Sequence, residues 1–252
     1  MACRPIITLT SDFGTDDFYV AAMKAVLLQY CRDAQLVDIT HEIARHDIAG
    51  GSFTLERALA VFPSGTVHLA VIDPGVGTDR RMLIAECNGS WIVCPDNGLI
   101  TWTKQRQTMG RFFAIDWRPD RPSNTFHGRD VMAPIAGQLA SGAQAAAFGH
   151  EIADPLMLGL YPAISWQNGR VIHLDHFGNA TTNIPAELID NRNLHWHVGH
   201  HAVGKLRQTY GDVAPGQPLA LIGSSDLLEI AVREGSAAEL LGIRIGDLVH
   251  AN

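Results

Sequence analysis

The chain has 252 residues, with 19 Lys and Arg against 26 Asp and Glu (formal net charge −7), 46% hydrophobic and 18% charged residues. This length allows one large domain or two ordinary ones and closes a core without disulfides or metal. The acidic balance argues against a nucleic-acid groove, which needs a clustered basic face, and no apolar run approaches the ~20 residues of a membrane span.

Met-Ala-Cys-Arg-Pro runs directly into a strand-like segment, so no secretory leader is expected. The four cysteines (Cys3, Cys31, Cys87 and Cys94) lack CxxC spacing and read as reduced thiols of a cytoplasmic protein. A soluble protein directed at a small molecule is the starting expectation.

Strand-like and helix-like patterns alternate through the first ~160 residues. Ile6–Thr10 reads as a strand, and Asp17–Tyr30 as a helix carrying Val20, Met23, Val26 and Leu27 at helical spacing. Leu36–Ile39 is a short strand, Ala49–Val61 a helix, and Thr66–Ile72 an apolar run suited to a strand buried on both faces. Met82–Glu86 and Trp91–Cys94 flank the hairpin pair Asn88-Gly89. Gly128–Ala140 reads as a helix, with Pro134 predicting a kink or local break. The alternation predicts an α/β domain with a mostly parallel sheet over residues 1–163.

The texture changes near Pro162–Gly169. Short strand patterns at Arg170–Leu174, Ala180–Ile184, His195–Val198, Leu219–Ile222, Leu227–Val232 and Leu248–Ala251 are separated by Gly, Pro and Asn turns. Ser236–Leu241 alone looks helical. Residues 170–252 therefore predict a small all-β domain, a barrel or sandwich.

Four stretches could carry chemistry. Ser11–Asp17 (SDFGTDD) joins the first strand to the first helix, where an open α/β sheet binds ligands. Asp16 or Asp17 could instead cap the helix, although three carboxylates exceed the needs of one cap. Asp73–Arg81 (DPGVGTDRR) follows the apolar strand; it is either a common turn or a strand-end carboxylate kept ionised by a nearby guanidinium. His127, in Asn124–Asp130 (NTFHGRD), is either a solvated loop histidine or a group suited to proton handling at neutral pH. Asp175–Ile184 contains Phe177-Gly178-Asn179, either a plain turn or a purine clamp made of an aromatic ring, a close-approach glycine and an amide.

Other patterns carry less. Gly199–Lys205 (GHHAVGK) mimics a phosphate-binding loop, but Leu206 replaces the required Ser or Thr. His195, His197, His200 and His201 have no Cys or carboxylate to complete a metal set and read as a surface patch. There is no GxSxG, and Gly75-x-Gly77 lacks the third glycine of a dinucleotide fingerprint.

Together the stretches resemble one family across essentially the whole chain: the SAM hydroxide adenosyltransferases, adenosine-forming hydrolases of S-adenosyl-L-methionine (SAM), related to SAM-dependent fluorinases and chlorinases. The resemblance rests on SDFG (11–14), VDITHEI (37–43), VIDPGVGT (71–78), PDNGLIT (95–101), TFHGRD (125–130), FGN (177–179) and LEIAV (228–232), in that order. It implies an N-terminal α/β domain followed by an antiparallel barrel. It also implies a homotrimer with active sites between one subunit's N-terminal domain and its neighbour's C-terminal domain.

By this resemblance Asp73, Arg80 and His127 match a water-activating triad, with Arg81 as the near neighbour that serves as a control. Asp12 is similar to a ribose-diol acceptor, and Asp17 and Asp175 to partners of the methionine ammonium. Phe177 and Asn179 resemble adenine contacts, and Ser224 a donor to the methionine carboxylate. Ser225 stands where the fluorinases carry an arginine, while Asp73 and His127-Gly128 replace their Tyr and Tyr-Ser. The Glu86–Trp91 loop lacks the long fluorinase insertion. These departures point away from halide transfer and toward hydrolysis of SAM to adenosine and L-methionine, for which no metal or redox cofactor is needed. Halide transfer, or SAM binding without turnover, stands as the alternative.

Overall fold

The structure, a computed structural model, describes residues 4–159, 165, 167–189 and 193–252. The chain divides into two compact units, Met1–Leu160 and Tyr161–Asn252. Half of the Pro162–Gly169 boundary, like Cys3, lies outside the described residues.

The first unit holds a seven-stranded sheet in the order β2-β1-β3-β5-β4-β6-β7. Its strands are β1 (Ile6–Ser11), β2 (Gln35–Thr40), β3 (Val67–Val71), β4 (Met82–Cys87), β5 (Ser90–Pro95), β6 (Met109–Ile115) and β7 (Gly149–Ile152). Strands β2, β1, β3, β5 and β6 run one way, and β4 and β7 the other. The sheet is thus mostly parallel, with an antiparallel extension that starts at the Asn88-Gly89 hairpin. Both turn residues have positive φ (48° and 76°), as the tight turn between β4 and β5 requires. Strands β6 and β7, and the short helix α3 (Thr101–Arg106), were not anticipated from periodicity.

Strand β3 shows why the apolar run is continuous. Val67, Leu69 and Val71 pack on one face with helices α1 (Tyr19–Tyr30) and α4 (Ala133–Ala140); Ala70 and Ile72 pack on the other with α2 (Ile48–Val61). Period-two alternation places every residue of the run against a helix-covered face. Asp47 caps α2 by accepting from the Gly50 amide at 2.9 Å. The expected helix at Gly128–Ala140 is a π-helical turn (Gly128–Met132) that tightens into α4 at Ala133, with Pro134 in its first turn. Proline is tolerated there because its missing N–H is one that a helix start leaves unpaired.

The second unit is a closed barrel in the order β10-β11-β12-β13-β9-β8-β14. The strands are β8 (Gly169–Leu174), β9 (Ala180–Pro185), β10 (His195–Val198), β11 (His201–Arg207), β12 (Pro218–Ile222), β13 (Leu227–Val232) and β14 (Leu248–Ala251). All pairs are antiparallel except β11 with β12, which the chain joins through a turn at Tyr210–Asp212. Fully buried Trp196 packs with Val171, Ile184, Leu228, Ile230 and Val249 in the barrel core. Short α5 (Ala237–Leu240) is capped by Ser236.

Candidate active site

The strand order places the first group of residues. The chain leaves β1 toward β2 on one side and returns as β3 on the other, so the gap between β1 and β3 is a topological switch point, where open α/β sheets bind ligands. Ser11 pairs with Val71 in the register of these strands. Asp12 and Asp73 therefore emerge from neighbouring strands at their carboxyl ends.

At Asp73 the chain makes the expected turn, with the Val76 amide donating to the Asp73 carbonyl at 3.2 Å. The turn and the functional arrangement coexist. The side chains of Asp73 and Arg80 are 6% and 10% exposed. Arg80 donates through Nε to Asp73 Oδ1 at 2.7 Å and through Nη2 to Asp73 Oδ2, a bidentate pair. The same Nη2 lies 3.1 Å from His127 Nδ1. Asn97 donates its amide to the Ile72 carbonyl at 2.8 Å, fixing the strand end from which Asp73 projects.

His127 reaches this pair because its chain segment runs close to β3. A Cβ on the adjacent Gly128 would lie 3.1 Å from the Val71 side chain, so glycine permits that approach. Burial, then the guanidinium charges of Arg80 and Arg118, push the His127 pKa below its ordinary 6.5. Arginine can only donate, so Nδ1 accepts and the ring hydrogen of this neutral imidazole sits on Nε2.

Arg81, by contrast, faces away from this cluster. It donates to buried Asp96 at 2.8 Å and to Asp154, while the Leu156 amide also donates to Asp96 at 2.7 Å. Its work is to anchor the 154–156 segment.

Asp12 accepts from the His46 amide at 2.9 Å through Oδ2. Asp16 and Asp17 are exposed, and neither caps α1: its N-cap position is Phe18, with no side-chain bond. The capping explanation of the acidic cluster is thereby removed. Beside it, Phe126 packs edge to face with Phe13 and with Tyr19, which meet each other at a tilt, and Arg129 lies 4.9 Å above the Phe126 ring.

The second group lies on the barrel unit. Asp175 Oδ1 accepts from the amides of Phe177 (2.9 Å) and Asn179 (2.8 Å), and Oδ2 from the Asn179 side-chain amide at 3.0 Å. Asp175 thus holds the FGN turn together, using one lone pair of Oδ2 and leaving Asn179 its carbonyl oxygen and one N–H. Gly178 has φ +80°, and a Cβ there would lie 2.1 Å from Ser236 Oγ, so both conformation and space demand glycine. Phe177 is 72% exposed beside a cleft of about 540 Å³ shared with Asp175, Asn179, Tyr210 and Arg233. Ser224 is exposed in the turn between β12 and β13, and Ser225 is buried.

Sequence patterns did not single out Tyr210 and Glu229. Tyr210 donates to Glu229 Oε1 at 2.7 Å beneath this cleft, and burial raises the Glu229 pKa. Glu229 lies in LEIAV, an acid in an otherwise apolar strand, which was the available signal. Arg118, whose charge reaches His127, had none. Segment Gly199–Lys205 falls on a turn and β11 rather than a phosphate-binding loop before a helix, and among the described residues no cluster of three or more His, Cys, Asp or Glu is arranged to hold a metal ion. Among those residues no helix is long and apolar enough to cross a membrane.

Comparison with known proteins places the fold in a family. Residues 7–149 match the SAM hydroxide adenosyltransferase N-terminal domain, and residues 169–250 its C-terminal domain. The (R)-S-adenosyl-L-methionine hydrolase of Thermus thermophilus is 39% identical over 96% of this chain and 97% of its own. A fluorinase of Actinopolyspora mzabensis is more distant, at 25% identity over 96% and 95%. The crystal structure of an uncharacterised conserved protein from Thermotoga maritima superposes with a TM-score of 0.91 at 33% identity, covering 98% of this chain and all of that one (100%). With both domain families matched in order along its length, the chain belongs to the SAM hydroxide adenosyltransferase family.

Proposed function

We propose that the protein hydrolyses SAM to adenosine and L-methionine, and that Asp73, Arg80 and His127 prepare the water. The observation that carries this reading is the part-buried Asp73–Arg80–His127 array at the switch point of the sheet. A water oxygen attacks C5′ as the C5′–sulfur bond breaks; the electron pair stays on sulfur, and methionine departs as a neutral thioether. The leaving group therefore needs no proton. What the protein supplies is an in-line water and exclusion of bulk solvent, and such positioning is worth about 7–11 kcal/mol.

The tautomer set by Arg80 divides the labour. His127 presents Nε2–H, a donor able to hold the water oxygen by a lone pair. Asp73 keeps unused lone pairs beyond those bound by Arg80 and is the acceptor for the proton released as the O–C5′ bond forms. This arrangement also disfavours a halide nucleophile, because an anion would meet the Asp73 carboxylate.

In this reading Asp12 accepts from the ribose diol, and Asp17, with Asp175, faces the methionine ammonium. Phe177 and Asn179 contact adenine, and Ser224 donates to the methionine carboxylate. The protein works in the cytoplasm, a reading its free cysteines support, and is a homotrimer, as its family resemblance implies, with sites completed by a neighbouring subunit and no metal or redox cofactor. The name carried by its relatives makes the (R) epimer at sulfur the proposed substrate.

One experiment tests the reading. Purified protein is incubated with each resolved epimer of SAM, with and without halide, and the nucleosides are separated chromatographically. Adenosine is the expected product. A 5′-halogenated nucleoside, or SAM bound but unchanged, overturns hydrolysis.

A further inference from the structure

The loop after β1 that carries Asp12 is braced by a residue with no assigned role. His41 lies directly after β2 and is buried (5% exposed). Its ring Nδ1 is 2.7 Å from Ser11 Oγ, and its carbonyl accepts from the Gly14 amide at 2.8 Å. It therefore grips the chain on both sides of Asp12-Phe13. Ser11 Oγ in turn accepts weakly from the Phe13 amide at 3.4 Å.

The same segment continues the clamp. Thr15 donates to Glu42 at 3.2 Å, and the His46 amide binds the Asp12 carboxylate itself. His46 adopts φ 65°, a strained conformation for a non-glycine residue that persists only where its surroundings enforce it. On the far side of the His41 ring, Asp38 Oδ1 lies 3.1 Å from Nε2, off the line of a good hydrogen bond but close enough for electrostatic orientation. Asp38 is itself paired with Lys24 of α1 at 2.5 Å.

Ser11, His41 and Asp38 have the composition of a nucleophilic triad, but Ser11 is fully buried (0% exposed) and cannot meet a substrate. The arrangement is a brace. The geometry points to His41 as a positioning residue that fixes Asp12 for the ribose hydroxyls and so sets the preference for a ribonucleoside over a deoxyribonucleoside substrate. This rests on the proposed SAM-binding role of Asp12. His41 touches no reacting atom and acts through Ser11, Gly14 and the loop they hold.

The test compares SAM with its 2′-deoxy analogue in the full-length wild type, His41→Ala, His41→Asn and Ser11→Ala. Loss of the brace raises KM for SAM and lowers the kcat/KM preference for SAM over the deoxy analogue by roughly tenfold, the scale of one lost hydrogen bond to substrate. kcat changes less than KM, and His41→Asn, whose amide can still reach Ser11, retains most of the preference. Equal loss on both substrates, or an Asn variant as impaired as Ala, overturns the proposal. If His41→Ala fails to fold, Ser11→Ala decides, and an unchanged preference there overturns it. A wild type that makes no adenosine would instead sink the hydrolase reading, so the two failures are distinguishable.

Discussion

Arg80 lies between Asp73 and His127 and donates to both, through a bidentate pair with the carboxylate and a 3.1 Å contact with Nδ1 of the imidazole. One guanidinium thus fixes the carboxylate and the imidazole tautomer together. Lysine is a point charge without the planar fork and cannot do both. Arg80→Lys is expected to lower kcat by roughly 10²–10⁴-fold, and Asp73→Asn by a similar factor, with SAM binding retained. Calorimetric binding and adenosine release measure the two halves. Unchanged turnover in Asp73→Asn would remove that residue from the chemistry.

The neighbouring arginine gives the control. Arg81 holds buried Asp96 and the 154–156 segment, with no contact to Asp73 or His127. Arg81→Ala leaves the Asp96 carboxylate with the Leu156 amide and is expected to cost about 1–3 kcal/mol of stability. At a temperature where the variant is folded, its kcat should stay within about threefold of wild type. A large kcat loss in a folded Arg81→Ala protein would show that the two arginines are not functionally separate.

Acid should inactivate the enzyme through His127. Burial and the flanking Arg80 and Arg118 hold its pKa below 6.5, so the imidazole is neutral at pH 7 and accepts from Arg80. Protonation puts a hydrogen on Nδ1 and forces out that bond. Accordingly, kcat/KM is flat through neutrality and falls only as pH drops through a value below 6.5. Arg118→Ala removes one of the depressing charges and should move the acid limb upward toward 6.5. An acid limb in the wild type centred above 6.5 would contradict this account.

Much of this site was legible because its parts are short-range. Asp73 at the end of an apolar run, Arg80 seven residues on, and Phe177-Gly178-Asn179 in a turn are patterns within single loops, and their order along the chain carried the family resemblance. The parallel core of the sheet was legible through β3, whose continuous apolar run has a helix-covered face on either side.

What stayed hidden depends on contacts distant in sequence. The Ser11–His41 bond spans 30 residues, and Tyr210–Glu229 joins a turn to a strand interior. Strands β6, β7 and β11 were missed because edge position or half-exposure breaks the apolar alternation: β11 reads HAVGKLR, with a glycine inside it. The tautomer of His127 required knowing which nitrogen Arg80 meets, which no local pattern encodes.

Phe177 offers a separation of binding from stability. A phenyl ring that is 72% exposed contributes little to the barrel core, so Phe177→Ala should leave the melting temperature within a few degrees of wild type. If the ring stacks on adenine, its removal costs about 1–3 kcal/mol of binding, the scale for aromatic–base stacking. KM for SAM should then rise by roughly tenfold or more while kcat at saturation changes little. A KM equal to wild type would place adenine elsewhere.

Glu229 gives a pH dependence of stability with a definite sign. Burial raises its pKa above the ordinary 4.5, and the nearby Asp175 charge adds to the rise, outweighing the Tyr210 hydrogen bond, which lowers it. The folded state therefore binds this proton more tightly than the unfolded state. The resulting stabilisation is fully present below about pH 4.5 and is lost as pH rises through the higher folded value. Glu229→Gln keeps the shape and an acceptor for Tyr210 but carries no charge to bury. Its stability relative to wild type should improve as pH is raised from about 4.5 toward 8, read as the difference in denaturation midpoints across that range. Tyr210→Phe, which leaves the buried carboxylate without its hydroxyl donor, should cost about 1–3 kcal/mol at pH 8 and less at pH 4.5. A Glu229→Gln difference that is constant with pH, or that shrinks as pH rises, would show that this carboxyl is not held toward its protonated form by the barrel.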